Sequence, residues 1–177
     1  FAGTVASGRV RAGDQITVAG SGRSTTVTRI VTADGDLDEA IAQDAVTIVL
    51  AEEVDVARGD VLCDPKDRPE VTDGFAARVI WMSETRLQPG RSYMMRVGTR
   101  WVPATVSTIA HKIDVNTLEE QDAAELALNE IALCEIHTAT PFAFDPYAEN
   151  RGTGAFILLD RTTNATGAAG MVPHSLR

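Results

Sequence analysis

The chain has 177 residues, enough to bury one large or two small cores, with the 44% hydrophobic and 23% charged content of an ordinary globular protein. Sixteen basic against 25 acidic side chains leave a net charge of −9, which argues against a broad nucleic-acid-binding surface, and no apolar run approaches the ~18 residues of a membrane span. Two cysteines make no disulfide framework and fit a reducing cytosol, so a cytoplasmic protein is expected. The start at Phe1 has no basic stretch followed by an apolar core, hence no signal peptide, and reads as a piece of a longer protein.

Strand signals recur at short intervals along the first part. Gly3-Thr4-Val5-Ala6-Ser7-Gly8-Arg9-Val10-Arg11-Ala12-Gly13-Asp14 predicts strand, turn and strand, with Val5 and Val10 inward, a hairpin turn at Gly8 and a second turn at Gly13-Asp14. Gln15–Ala19 alternates with Ile16 and Val18 on one face, Thr25–Val31 is β-branched, and Ala45–Leu50 aligns Val46, Ile48 and Leu50. From Cys63 to Asp73 the text turns acidic and proline-bearing, which marks an interdomain linker centred on 65–71.

A second run of strands follows: Phe75–Met82, Tyr93–Val97, Val102–Ile109, Glu130–Thr138 and Ala155–Asp160. Leu118–Leu128 is the one segment of helical composition, with Asn116-Thr117 as cap and Glu119, Glu120 and Asp122 near its start, and it predicts a single helical turn. Ala155–Leu159 is a continuous apolar run, the mark of a strand covered on both faces or closed into a barrel. Arg161–Asn164 carries turn chemistry, and Gly167 to Gly170 permits close backbone approach. The fold class is therefore all-β: two antiparallel barrels of Greek-key type over 1–64 and 72–177.

Several of these stretches carry a family resemblance. The opening glycine-valine pattern and Arg58-Gly59-Asp60-Val61-Leu62 resemble the second domain of translational GTPases. Ile30–Leu37, Val79–Glu84, Pro89–Tyr93, Ile113–Glu119 and the hairpin Asn150–Met171 resemble the second and third domains of sulfate adenylyltransferase large subunits, GTPases related to elongation factor Tu. The likeness spans the whole chain. It implies a GTP-dependent regulatory subunit that assists formation of adenylyl sulfate from ATP and sulfate, while a separate nucleotidyltransferase subunit transfers the adenylyl group. Barrels in this place would position the protein's own GTPase domain and dock the nucleotidyltransferase subunit. Some members of that family also carry an adenylyl-sulfate kinase. The phosphate-cradling G-x-x-x-x-G-K-[ST] run is absent from this sequence, as is an Asn-Lys-x-Asp base-recognition motif, so GTP and Mg²⁺ would sit in a GTPase domain beyond it and no cofactor is expected here.

No catalytic constellation emerges from the residues. Cys134 and His137 have a metal-like spacing, but on a strand positions three apart point to opposite faces. His111-Lys112 follows a predicted strand and could serve as an acid or a phosphate contact, but a lone histidine reads as structural, and Ser7, Ser83 and Ser107 lack a triad context. Arg86, Arg91, Arg96 and Arg100 read as solvated strand and turn residues, with a local basic patch as the alternative. The remaining candidates are Tyr147 and Arg151, an aromatic beside an arginine in a polar loop, read either as a plain turn or as a partner contact. The rival class is a translation-factor barrel pair that binds tRNA, which the acidic balance disfavours.

Overall fold

A computed structural model describes residues 1–173, so the last four residues of the second predicted barrel lie outside the described residues. Every strand pair is antiparallel, and the chain divides into two compact units, Phe1–Pro69 and Glu70–Arg177.

The first unit contains β1 (Ala2–Thr4), β2 (Arg9–Arg11), β3 (Gln15–Val18), β4 (Ser24–Thr32), β5 (Gly35–Leu37), β6 (Glu39–Ile41), β7 (Ala45–Leu50) and β8 (Leu62–Cys63). Its main sheet runs β1-β7-β4-β3-β8 with β5 on β4, and β2 and β6 form a separate ribbon. Ile16, Val27, Ile30, Ala40 and Val46 make the core, with Val5 and Val10 packed against it as the alternation requires. The expected hairpin at Gly8 is corrected. Gly8 does turn the chain at φ +68°, but β1 pairs with β7 and β2 with β6, so the strands it joins separate into different ladders. Gly13, at φ +97°, makes the next turn, where Asp14 Oδ2 accepts the Arg11 N–H at 2.8 Å.

The second unit contains β9 (Glu70–Trp81), β10 (Ser92–Val97), β11 (Arg100–Ile113), β12 (Glu120–Gln121), β13 (Ile131–Phe144), the short helix α1 (Arg151–Gly154), β14 (Ala155–Leu159) and β15 (Thr166–Met171). The order β10-β14-β15-β9-β13-β11 is closed by β11 pairing back onto β10, which makes a six-stranded barrel with β12 appended to β11. Closure leaves no free edges among those six strands. The strands are longer than the local apolar alternation suggests, because β9 and β13 pair along almost their whole length. Inside lie Trp81, Tyr93, Phe142, Phe144 and Phe156, with Phe75 edge-on to Phe142 at 5.3 Å and to Phe156 at 5.8 Å.

The helical turn expected in Leu118–Leu128 does not form. Asp114 Oδ1 accepts the N–H of Asn116 at 2.8 Å and of Thr117 at 3.1 Å, a side-chain-driven turn that competes with helix and throws Leu118 to φ +60°. Leu126 instead forms an isolated antiparallel bridge with Leu87 and is fully buried, so packing overrides the Ala-Glu-Leu composition. Glu120 lies in β12 opposite the His111 imidazole at 3.3 Å, not at a helix start. His111-Lys112 also falls within β11 rather than after it.

Carboxylates fasten three turns of this unit. Besides Asp114, Asp160 Oδ1 accepts the N–H of Thr163 at 3.0 Å and of Thr162 at 2.9 Å. Glu130 accepts the Ala127 N–H at 2.8 Å and the Lys112 ammonium at 2.9 Å. The backbone donors, Asn116 for Asp114, Thr163 for Asp160 and Ala127 for Glu130, are the main reason these three carboxyls titrate below the usual range. A depressed folded-state value means that this stabilisation is complete above the unfolded value near ~4 and is lost as pH falls through the lower folded values. Urea midpoints are thus expected to stay level from neutral pH down to about 5.5 and to drop below about 4. A midpoint that rises on acidification would contradict this assignment.

Candidate functional site

The loop that carries Tyr147 and Arg151 is built from its own polar side chains. Asn150 caps α1 in an extended conformation and its side chain accepts the Gly152 N–H at 3.1 Å. Asp145 Oδ2 receives the Thr153 hydroxyl at 2.6 Å and the Asn150 amide at 3.2 Å, which ties both ends of the loop together. Backbone bonds from Tyr147 N–H to Val172 O at 2.9 Å and from Val172 N–H to Gly154 O at 2.9 Å fasten it to the chain beyond β15. Gly154 closes the loop against backbone: a Cβ there would stand 2.5 Å from Tyr147 Cα and 2.6 Å from Asp145 O. The outcome is a rigid platform on which the exposed Arg151 guanidinium lies 5.8 Å from the Tyr147 ring centroid.

The arginines singled out from the sequence do not gather into one basic patch. Arg86 pairs with Glu125 and Arg91 with Asp160, so two of the four charges are neutralised locally. Arg100 donates to Thr140 Oγ1 at 3.2 Å and Pro141 O at 3.0 Å. Arg96 instead lies 5.5 Å from the ring centroid of Trp101, its neighbour across the β10–β11 ladder. Sequence reasoning passed over Trp101, although Val102, Ala104 and Val106 alternate inward and leave position 101 pointing out.

Cys134 and His137 stand on opposite faces of β13, Cys134 fully buried and His137 exposed across from Gly74. Burial pushes the Cys134 thiol up to about 12, which leaves it protonated and inert. Among the described residues no cluster of three or more His, Cys, Asp or Glu side chains could hold a metal ion, and no helix is long and apolar enough to cross a membrane. An open depression beside β7, lined by Phe1, Ile48, Val49 and Leu50 with Glu52 and Glu53 at its rim, offers no convergent catalytic groups.

The outer surface of the barrel is more informative. Phe156 and Leu158 point inward from β14, which sends Ala155, Ile157 and Leu159 outward. The ladders place Leu159 beside Met94 and Pro103, and Ile157 beside Ala169 and then Ile80. These outward side chains are all half-buried. They form an apolar row that steps between two neighbouring rungs, Pro103, Met94 and Leu159 on β11, β10 and β14, then Ile157, Ala169 and Ile80 on β14, β15 and β9. Arg96 stands beside Ile157 and Thr166 beside Leu159, whereas a solvated sheet face carries polar residues throughout.

A closed six-stranded barrel preceded by a smaller β-unit, both antiparallel, defines a tandem module of the elongation-factor type. Over residues 74–173 the chain belongs to the GTP-eEF1A C-terminal domain-like family, and residues 2–63 match elongation factor Tu domain 2. It is 52% identical over its full length to the bifunctional enzyme NodQ of Azospirillum brasilense, covering 28% of that protein. It is 51% identical over 99% of its length to sulfate adenylyltransferase subunit 1 of Aeromonas hydrophila subsp. hydrophila, covering 37% of that protein. The resemblance to sulfate adenylyltransferase large subunits therefore holds along the chain, which spans about a third of the length of these relatives. The crystal structure of sup35 complexed with GMPPNP superposes with a TM-score of 0.89 at 22% identity, over 99% of this chain and 44% of that one. At that identity the likeness concerns fold alone.

Proposed function

We propose that this chain is the non-catalytic barrel portion of a GTP-dependent regulatory subunit of sulfate adenylyltransferase, acting in the cytosol. The whole protein couples GTP hydrolysis to formation of adenylyl sulfate from ATP and sulfate. GTP and Mg²⁺ belong to a GTPase domain outside these residues, and the barrels bind no cofactor of their own. Their work is to seat that GTPase domain and to dock a separate nucleotidyltransferase subunit.

The observation that carries this reading is the apolar row on the outer face of the closed barrel. Met94, Pro103, Ile157, Leu159, Ala169 and Ile80 form a surface suited to burial against another folded body. The polar Tyr147–Arg151 loop supplies a second contact of a kind common at protein interfaces. A relative whose name designates it as subunit 1 supports assembly with a further subunit. The rival reading, tRNA binding, is disfavoured by the net charge of −9 and by the ion pairs that consume Arg86 and Arg91.

The test is co-purification of the chain with the nucleotidyltransferase subunit beside a gel shift with tRNA at ~0.15 M salt, where screening leaves only local patches to act. Retention of the subunit without a shifted RNA band is expected. A tRNA complex without the protein complex would favour the translation-factor rival.

A further inference from the structure

We infer that the tip of the β10–β11 hairpin and the α1 loop form one carboxylate-binding surface, which receives an acidic segment of the partner subunit. The inference rests on the functional reading above and adds to it the chemistry of the contact. The two parts meet at glycines: a Cβ on Gly98, in the hairpin turn, would stand 3.9 Å from Gly152 O in α1. On one side Arg96 lies against Trp101, and on the other Arg151 lies against Tyr147.

Several facts separate this pair of arginines from the others. Arg9, Arg11, Arg29, Arg86 and Arg91 each have a carboxylate within ion-pair distance. Among the described residues Arg96 and Arg151 have none; Arg23, Arg58, Arg68, Arg78 and Arg161 also lack one, but of all these only Arg96 and Arg151 lie against an aromatic ring. Arg96 spends only its Nε, on Gly98 O at 3.2 Å. Asp145 on the same loop accepts from Thr153 and Asn150 and makes no ion pair with Arg151. Glu149 is one opposing charge on the same loop. Trp101 is 51% exposed, which is unusual for a side chain with so much apolar area to bury.

Chemistry selects the occupant. A guanidinium stacked on an aromatic ring is pre-oriented and keeps its N–H edges outward, in the fork geometry that matches a carboxylate. Two such forks beside an exposed indole suit a short acidic stretch of protein with an apolar neighbour. A phosphate backbone would need a longer basic track, and the net charge of −9 repels it. Arg96 and Arg151 combine an aromatic support with the lack of an ion-paired acid, and an acidic chain that brings the two together places its complementarity here.

The experiment titrates the nucleotidyltransferase subunit with the unmodified chain, an Arg96→Glu/Arg151→Glu variant and a Trp101→Ala variant. These side chains are exposed, so unchanged thermal transitions are expected. The charge-reversed variant should bind about 100-fold more weakly and Trp101→Ala about 10-fold. The unmodified chain should lose affinity between ~0.05 and ~0.5 M salt while the charge-reversed variant shows a flatter dependence. Unaltered binding by both variants, with the unmodified chain bound, overturns this site and leaves the functional reading standing. Absence of binding by the unmodified chain overturns both. A tRNA shift that Arg96→Glu/Arg151→Glu abolishes would assign the surface to nucleic acid and overturn the inference.

Discussion

Gly154→Ala is expected to cost about 3 kcal/mol of stability, the upper end of what one added methyl costs in a packed site. The added Cβ meets the Tyr147 Cα at 2.5 Å, the Tyr147 nitrogen at 2.6 Å and the Asp145 oxygen at 2.6 Å, all backbone. Backbone cannot rotate away as a flexible side chain does. It is also held in place, since the Tyr147 N–H donates to Val172 O and Val172 N–H donates to Gly154 O. Relief therefore requires breaking the seam between the loop and the chain after β15. The same displacement moves the Tyr147–Arg151 pair, so partner affinity should fall with stability. Gly3→Ala is the control, because nothing stands within 4 Å of its added Cβ, and it should change stability by less than about 0.5 kcal/mol. Urea denaturation followed by circular dichroism measures both. Equal midpoints for Gly154→Ala and Gly3→Ala would refute the account of this loop.

Trp81→Ala is expected to cost about 3–5 kcal/mol, the range for removing a large aromatic from a core. Trp81 is 2% exposed, stands edge-on to Tyr93 at 5.7 Å and donates its indole N–H to Thr85 O at 2.8 Å. Gly167 is shaped to admit it: a Cβ there would come within 3.2 Å of the indole Cη2. Truncation thus opens a void that β15 has no side chain to fill. It also leaves the Thr85 carbonyl without its donor. Trp81→Phe keeps most of the packing and should cost less than half as much. If alanine and phenylalanine proved equally mild, Trp81 would not be the core element described.

Much of the fold was legible because alternation and turn chemistry agree locally. Ala45–Leu50 is a strand as its pattern requires, and Ala155–Leu159 is one residue shorter than expected. Gly170 shows the close approach anticipated for its stretch, since a Cβ there would overlap the Phe156 ring with Cε2 at 2.5 Å. The misses have a common cause, competition from tertiary contacts that no local window contains. Leu118–Leu128 has helical composition, but the Asp114 turn and the buried Leu126 decide against it. Arg151–Gly154 is poor helical text with two glycines, yet a single turn forms because Asn150 caps it and Asp145 anchors it. The Gly8 turn was visible, but not which strands it would separate.

The same division applies to the candidate surface. Tyr147 and Arg151 stand close enough in sequence to be noticed together. Trp101 joins Arg96 only through the β10–β11 register, and the hairpin meets α1 only through barrel closure. The apolar row needs the registers of five strands at once. The continuous run Ala155–Leu159 did carry its trace, because a strand apolar on both sides asks for a second cover.

The central claim is that these barrels bind a protein partner and leave nucleotide chemistry to the rest of the molecule. Calorimetric titration of the chain with the nucleotidyltransferase subunit, and separately with GTP and Mg²⁺, tests both halves of that claim. Saturable heat with the subunit and none with the nucleotide is the expected result. Micromolar, saturable GTP binding with no heat from the subunit would contradict it.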